Sequence, residues 1–500
     1  MKGFYLAFDL GTSGAKAVLF SQNGTMMDKE FYPYKTDYPK AGWAEQNPNE
    51  WYKAVCNASR VLVQRNQASK QIAAISFSGQ TMGCVCVDSN GRALRSALIH
   101  CDQRSTQQAR RLSETIGLQR LYDLTGTRLS PSYPIEKLMW VKDNEPEIYE
   151  RTYKMIGPKD YLVSRLCGRI ATEYTEASMS GCFLLKEMAW SQEVLDAVAI
   201  NMDKLPEILD PNDVAGALSH KAAEDMGVQA GTPVVMGGAD GQCGCLGIAG
   251  ADTPHAYGYL GSAAVAYASS PDLVLNGNPN LVTINCNAIK GLYRYYSTMQ
   301  TAGISFTWLR SLLSRDYGAP IPYDALNGYA QEGKGALDGL FFLPYLLGER
   351  SPYWNAHAKG AFVGITPAHG AGDFVRAVMD GVALNFAINY KEIMKNNPKD
   401  DIILYGGCAK SKIWRQIFSD ILNTPVYVSE ISEEAATYGA MLLASAAVGV
   451  DRISDYKVNC KLAAVPSAQA HRRYSEAAII FQDAYASLCE TFECISAFVH

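Results

Sequence analysis

The chain has 500 residues, more than one hydrophobic core fills, so at least two domains are expected. With 48% hydrophobic and 19% charged residues, 42 Gly, 21 Pro and no low-complexity tract, the composition is that of an ordinary folded enzyme and excludes disorder as a theme. A net charge of −5, with no Lys/Arg block of the kind that neutralises a phosphate backbone, argues against a nucleic-acid partner.

The thirteen cysteines are scattered, odd in number and never spaced C-x-x-C. The nearest pairs, Cys84/Cys86 and Cys243/Cys245, are i, i+2 neighbours with no His pattern beside them, so they read as buried free thiols in a reducing compartment. Asp9 interrupts the first apolar run, which leaves no secretory segment, and the apolar helical run 440–450 is too short to span a bilayer. A soluble, cytoplasmic protein without a membrane partner is expected.

In chain order, residues 4–20, FYLAFDLGTSGAKAVLF, read as strand, tight turn, strand. Asp9 ends the first strand, and Gly11, Thr12 and Ser13 make the turn. Successive backbone N–H groups and two hydroxyls can converge there beside a hard carboxylate, with Lys16 as a point charge; a phosphate with a divalent cation suits such a spot. A hairpin whose Asp caps its own turn fits the same residues. Residues 42–48, GWAEQNP, form a loop that feeds an amphipathic helix over 51–64, with Asn47 or Asn49 as its cap. A strand at 72–77, a turn at 78–83 and a strand at 84–87 repeat the opening layout. Helices are expected over 110–117, over 136–144 and from Pro158, and a loop over 172–180.

Residues 233–242 deliver Asp240 from a short strand into a glycine-rich bend, where an Asp more often only forms the turn. Residues 256–268 echo the opening unit, with Gly261 and Ser262 at the turn, and suggest a duplicated architecture whose boundary falls near 247–250. Helices follow over 303–313 and 373–390. The strand 401–405 then runs into Gly406-Gly407 and a helix, a common way to bring backbone close to a nucleotide. Further helices are expected over 433–447 and 474–492.

Four of these motifs occur in one order that resembles the FGGY carbohydrate kinases of the actin-like ATPase superfamily: DLGTSGAK (9–16), MGGADGQ (236–242), GAFVGITPAHGAGDFVRAVMD (360–380) and GGCAKSKIWRQIFSD (406–420). The resemblance spans residues 4–448, and GWAEQNP, GQTMG and GERSP are most similar to the xylulokinase branch. It implies an α/β fold of two RNase-H-like domains with a cleft between them. Residues 1–247 would bind the sugar and carry the base, and residues 248–500 would bind the nucleotide. It further implies ATP-dependent phosphorylation of a sugar hydroxyl, D-xylulose to D-xylulose 5-phosphate foremost, with ribulose, gluconate or a polyol as other acceptors. A homodimer is frequent in the family, although no interface is readable here.

Carried over by position, Asp240 is the general base and Asp9 the Mg²⁺ ligand. Gly11, Thr12, Ser13 and Lys16 face the β/γ-phosphates, with Gly261 and Ser262 opposite; Gly303, Gly407 and Ser411 line the nucleotide site; Gln80, Thr81, Met82 and Gln242 meet the sugar. Two departures fall in the sugar pocket. Xylulokinases usually carry Met-His where this chain has Thr81-Met82, and Asn or Gln follows the base where this chain has Gly241. Loss of a polar partner for one hydroxyl can change sugar preference by orders of magnitude. A non-kinase actin-like ATPase, or a regulatory protein that kept the fold, would share the phosphate hairpins without needing Asp240 or the turn at 80–82. No Walker-type or G-x-G-x-x-G motif competes.

Overall fold

A computed structural model describes residues 3–250, 254–275, 277–315, 319–429, 434–450, 453, 456 and 460–499. The chain builds two mixed sheets that face each other across a cleft. Strands β1 (Phe4–Leu10) and β2 (Gly14–Ser21) pair antiparallel, and β3 (Met26–Pro33) extends them. Helix α1 (Pro48–Arg65) begins with Pro at its first turn, where the missing N–H costs nothing, and is capped by the Asn47 side chain. Its Trp51, Val55, Ala58 and Leu62 are buried at helical spacing, as expected.

Strand β4 (Ile72–Gly79) runs parallel to β1. The apolar run 85–87 leaves this sheet and pairs antiparallel with 154–156, so the layout that echoes the opening hairpin is not itself a hairpin. Helices α2 (Pro134–Asn144) and α3 (Pro158–Cys167) follow. The loop expected over 172–180 contains a short helix, α4 (Tyr174–Ala177), whose first amides bond to the Glu173 carboxylate. Strands β5 (Val214–Ala217), β6 (Pro233–Val235) and β7 (Gly238–Ala239) complete a seven-stranded sheet of order β5-β6-β4-β1-β2-β3, with β7 also on β4.

The bend expected after Asp240 is instead a helix, α5 (Asp240–Ala249), despite three glycines after its first residue. In the second half, β8 (Ala256–Leu260) and β9 (Ala264–Ser270) form the expected hairpin, joined by β10 (Thr283–Cys286) and β11 (Tyr293–Met299). Then come α6 (Gly303–Leu313), the long buried α7 (Ala371–Asn396), β12 (Ile402–Tyr405), α8 (Lys412–Leu422), β13 (Val426–Ser429), α9 (Ala435–Ala447), β14 (Cys460–Ala464) and α10 (Ala468–Val499). Residue 433, where the penultimate helix is expected to start, lies outside the described residues. The second sheet has seven strands in the order β10-β11-β9-β8-β12-β13-β14.

The two halves cross over each other. Helix α9, late in the chain, places Ala440, Leu443 and Ala444 in a cluster with Tyr5, Val18 and Val235 of the first sheet. Helix α5 sets Cys245 and Ile248 against Tyr257 and Ile403 of the second. The helices touch where side chains are missing: a Cβ on Gly247 would lie 1.9 Å from the Ala435 carbonyl oxygen, and one on Gly439 2.0 Å from that of Cys243. Such close packing outweighs the poor intrinsic helix propensity of glycine. Among the described residues no helix is long and apolar enough to cross a membrane.

Candidate active site

Strand register assembles the site. Parallel pairing sets Asp9 beside Ser78 on β4, antiparallel pairing sets it beside Lys16 on β2, and Ala239 on β7 pairs with Gly79. Asp9, Gln80 and Asp240 therefore emerge together at the C-terminal ends of parallel strands, where open α/β sheets offer a crevice to ligands. In the second sheet Tyr259 pairs with Tyr405, so Gly261 and Gly406-Gly407 leave at one edge. Gly406 has φ +98°, and a Cβ there would meet the Leu260 carbonyl oxygen at 2.7 Å, which favours glycine at this crossing.

Between the edges lies a cavity of about 1040 Å³. Gly11, Thr12, Gln80, Thr81, Met82, Asp240, Gln242 and Gly407 all line it. The remaining expected residues stand at its margins. Ser13 is exposed at the hairpin tip, and Ser262 at the opposite tip. Gly303 is buried behind Gly261: its amide donates to the Gly261 carbonyl at 2.9 Å, so it braces the second hairpin. Ser411 caps α8 and donates to Asn327 Oδ1 at 2.7 Å. Lys16 is paired with Glu434 at 3.1 Å.

Asp240 opens helix α5 and accepts from the Gly241 amide at 2.6 Å. Its side chain is exposed to the cavity yet surrounded by the walls of the cleft. This enclosure, with the nearby Asp9 carboxylate, pushes its carboxyl up to about 6, against the pull of the Gly241 amide and the Arg294 guanidinium. Burial also raises Asp9, opposed by a 2.9 Å hydrogen bond from Ser78 Oγ and the Lys16 charge. The donor set fits a hard divalent cation. Asp9 offers carboxylate oxygen with Asp240 nearby, the hard donors such a cation takes.

Several residues on the cavity wall or just behind it are not marked out as site residues by the sequence. Gln46, fully buried, accepts from Gln80 Nε2 at 2.8 Å and from Trp51 Nε1 at 3.0 Å, and donates to the Thr12 carbonyl at 2.7 Å. It thus ties the turn at 80–82 to the phosphate hairpin; its motif, GWAEQNP, was legible but its role was not. Buried Lys137 donates to the carbonyls of Met82, Ile99 and Ser132 at 2.6–2.8 Å and fixes three stretches of pocket wall. Burial holds its ammonium down at about 8. Arg294, on β11, stacks over Tyr267 and Tyr296 at 4.7 and 4.5 Å, and a Cβ on Gly241 would come within 3.2 Å of its Nη1. The glycine after the base therefore makes room for a guanidinium. His100 lines the cavity too, held down at about 4 by burial and the Lys137 and Arg350 charges.

Residues 4–247 match the N-terminal domain of the FGGY family of carbohydrate kinases, and residues 256–448 its C-terminal domain. The chain is 32% identical to a xylulose kinase of Staphylococcus xylosus, over 88% of this chain and 90% of that protein. It is 31% identical to a gluconokinase of Bacillus subtilis (strain 168), over 91% and 90%. The structure superposes with a TM-score of 0.91 on both a ligand-bound xylulose kinase and a gluconate kinase from Lactobacillus acidophilus, at 28% and 27% identity, each covering 98% of this chain and 99% of the other.

Proposed function

The chain belongs to the FGGY family of carbohydrate kinases, and we propose that it moves the γ-phosphoryl group of ATP onto a hydroxyl of a small open-chain sugar at Asp240. The observation that supports this reading is one cavity walled jointly by the turn at 80–82, Asp240, the hairpin residues Gly11 and Thr12, and Gly407. Phosphoryl transfer asks the protein mainly for in-line positioning and charge stabilisation. The acceptor lies against Gln80, Thr81, Met82 and Gln242. Its hydroxyl becomes acidic as the new O–P bond forms, and the proton passes to the Asp240 carboxylate, which is mostly ionised at neutral pH with a carboxyl near 6.

The tips of the two hairpins, Gly11 to Ser13 and Gly261 to Ser262, face the phosphates; the Gly11 and Gly261 amides close their own turns on the Gly14 and Ala263 carbonyls, so the backbone donors to phosphate are those of Thr12, Ser13 and Ser262, and Gly407 with its loop holds the nucleotide. Gly303 and Ser411 shape that loop from behind. Lys16 steadies Glu434 and lends its charge to the hairpin. Mg²⁺ bound with ATP would be held by Asp9 and would supply charge neutralisation. The chain divides near 247 into an acceptor-binding and a nucleotide-binding half.

The xylulose kinases among the relatives make D-xylulose the first acceptor reading, giving xylulose 5-phosphate. The gluconate kinases supply a second, which the charge of the pocket favours, as argued below. ADP release with Mg-ATP, measured across ketopentoses, aldonates and polyols against a no-sugar background, tests the reading. One acceptor should raise turnover well above background, and Asp240→Asn should abolish that increase while leaving ATP binding nearly intact. Sugar phosphorylation retained by Asp240→Asn would remove the base from the mechanism. A background that no acceptor changes would favour a non-kinase ATPase.

A further inference from the structure

Arginines gather on the cavity wall. Among the described residues Asp240 is the one carboxylate that lines it, against Arg128, Arg294 and Arg350 and, beside Gly407 in the nucleotide loop, Lys410. Arg128 lies with its guanidinium 3.7 Å from the ring centroid of Trp354, a face that attracts cations but neutralises none of their charge. Its Nε donates to the Leu129 carbonyl at 3.3 Å, and its Nη1 is buried without a hydrogen-bond partner. Among the described residues, neither Arg128 nor Arg350 has a carboxylate within ion-pair distance.

The carboxylate beside Arg350 in sequence is already engaged. Glu349 Oε1 accepts from the Gln300 amide at 2.7 Å and from the Arg350 amide at 2.8 Å, and Oε2 accepts from Asn385 at 2.7 Å. Both guanidiniums pull on the phenol of Tyr133, so they converge on one region. Arg294 acts on the Asp240 carboxyl, whereas neither Arg128 nor Arg350 is among the charges that do, so these two stand on a part of the wall away from the base. Of the described carboxylates only Glu349 acts on either guanidinium, and it acts on Arg350 alone; Arg128 Nη1 is buried unpaired on the same cavity wall, so an oxyanion brought by a ligand would offset the cost of that burial and pair with both. The planar fork of arginine matches the two oxygens of a carboxylate.

We propose that Arg128 and Arg350 form an anion subsite at the end of the acceptor pocket remote from Asp240, which binds the carboxylate of an open-chain sugar acid. The hydroxyl at the other end of that acceptor is the one phosphorylated. This inference rests on the kinase reading and narrows its acceptor from a neutral sugar to an aldonate.

The test compares D-gluconate, the matched neutral polyol D-glucitol and D-xylulose in the wild-type chain and in Arg128→Met and Arg350→Met. Gluconate is expected to exceed glucitol in kcat/KM by about a hundredfold. Each substitution is expected to lower that preference by roughly thirtyfold or more, mainly through KM, and Arg350→Lys to restore part of it. A neutral acceptor used at least as well as gluconate, at a ratio neither substitution changes, overturns the subsite and leaves the kinase reading standing. No turnover with any acceptor would overturn the kinase reading. Calorimetric titration with gluconate in the absence of ATP then decides the subsite alone: binding by the wild type that is lost in a folded Arg128→Met/Arg350→Met double variant upholds it, and no binding by the wild type overturns it.

Discussion

Asp240 shows how a single side chain carries the pH behaviour of the molecule. An ordinary aspartate titrates near about 4 and would be ionised across the physiological range. Here enclosure and the neighbouring Asp9 carboxylate raise the group to about 6. Because the ionised form accepts the proton, kcat/KM should fall tenfold per pH unit below about 6, and a pH–rate profile flat down to pH 5 would contradict this. Arg294 pulls the same group downward, so Arg294→Met should move the acid limb to higher pH, whereas a residue with only a packing role would leave its position unchanged. Gly241 belongs to the same argument. The side chain usual after the base would start 3.2 Å from the Arg294 guanidinium, so the departure from the xylulokinase pattern and the buried arginine are one feature.

At the scale of elements, the contact between α5 and α9 joins the halves, and its glycines tolerate nothing larger. Gly247→Ala would place a methyl group 1.9 Å from the Ala435 carbonyl oxygen, a backbone atom that cannot swing away. A loss of about 1–3 kcal/mol or more in unfolding free energy is expected, read by denaturant titration. Wild-type stability in that variant would show that the helices can separate at no cost. A second coupling runs from the turn at 80–82 through Gln46 to the hairpin after β1. Gln46→Ala would strand the Trp51 indole N–H and free Gln80, at a cost of about 1–3 kcal/mol. Since the same amide holds the Thr12 carbonyl, the KM values for acceptor and for ATP should rise together; a change in only one would mean that the link does not couple the two sites.

At the scale of the whole molecule, the cavity takes its walls from both sheets and from loops far apart in sequence. A volume near 1040 Å³, open between two halves joined chiefly through crossed helices, suits closure over an acceptor that must be kept from competing water. Acceptor binding should therefore reduce the radius of gyration in small-angle scattering and slow proteolysis of the cleft loops. Identical scattering with and without a saturating acceptor would argue for a rigid cleft.

The sequence by itself determined the parts that depend on local chemistry. Apolar runs broken by Asp9-Leu10-Gly11 and by Leu260-Gly261-Ser262 specify strand, turn and strand, because glycine tolerates the tight backbone of a turn and small hydroxyl residues bond to nearby backbone there. The order of four such motifs carried the family. Tertiary structure alone decided what meets across the cleft. The glycines of α5 read as a bend until α9 packs against them, since helix propensity is outweighed by a contact nearly 200 residues away in sequence. Lys16 reads as a point charge for phosphate, and only the fold shows that Glu434 is paired with it. Arg128, Arg294 and Lys137 sit in no spacing that points to function, and Arg350, within GERSP, carries a family resemblance but no role. What they do follows from the groups they lack or face once burial has removed water, and burial is a property of the folded chain.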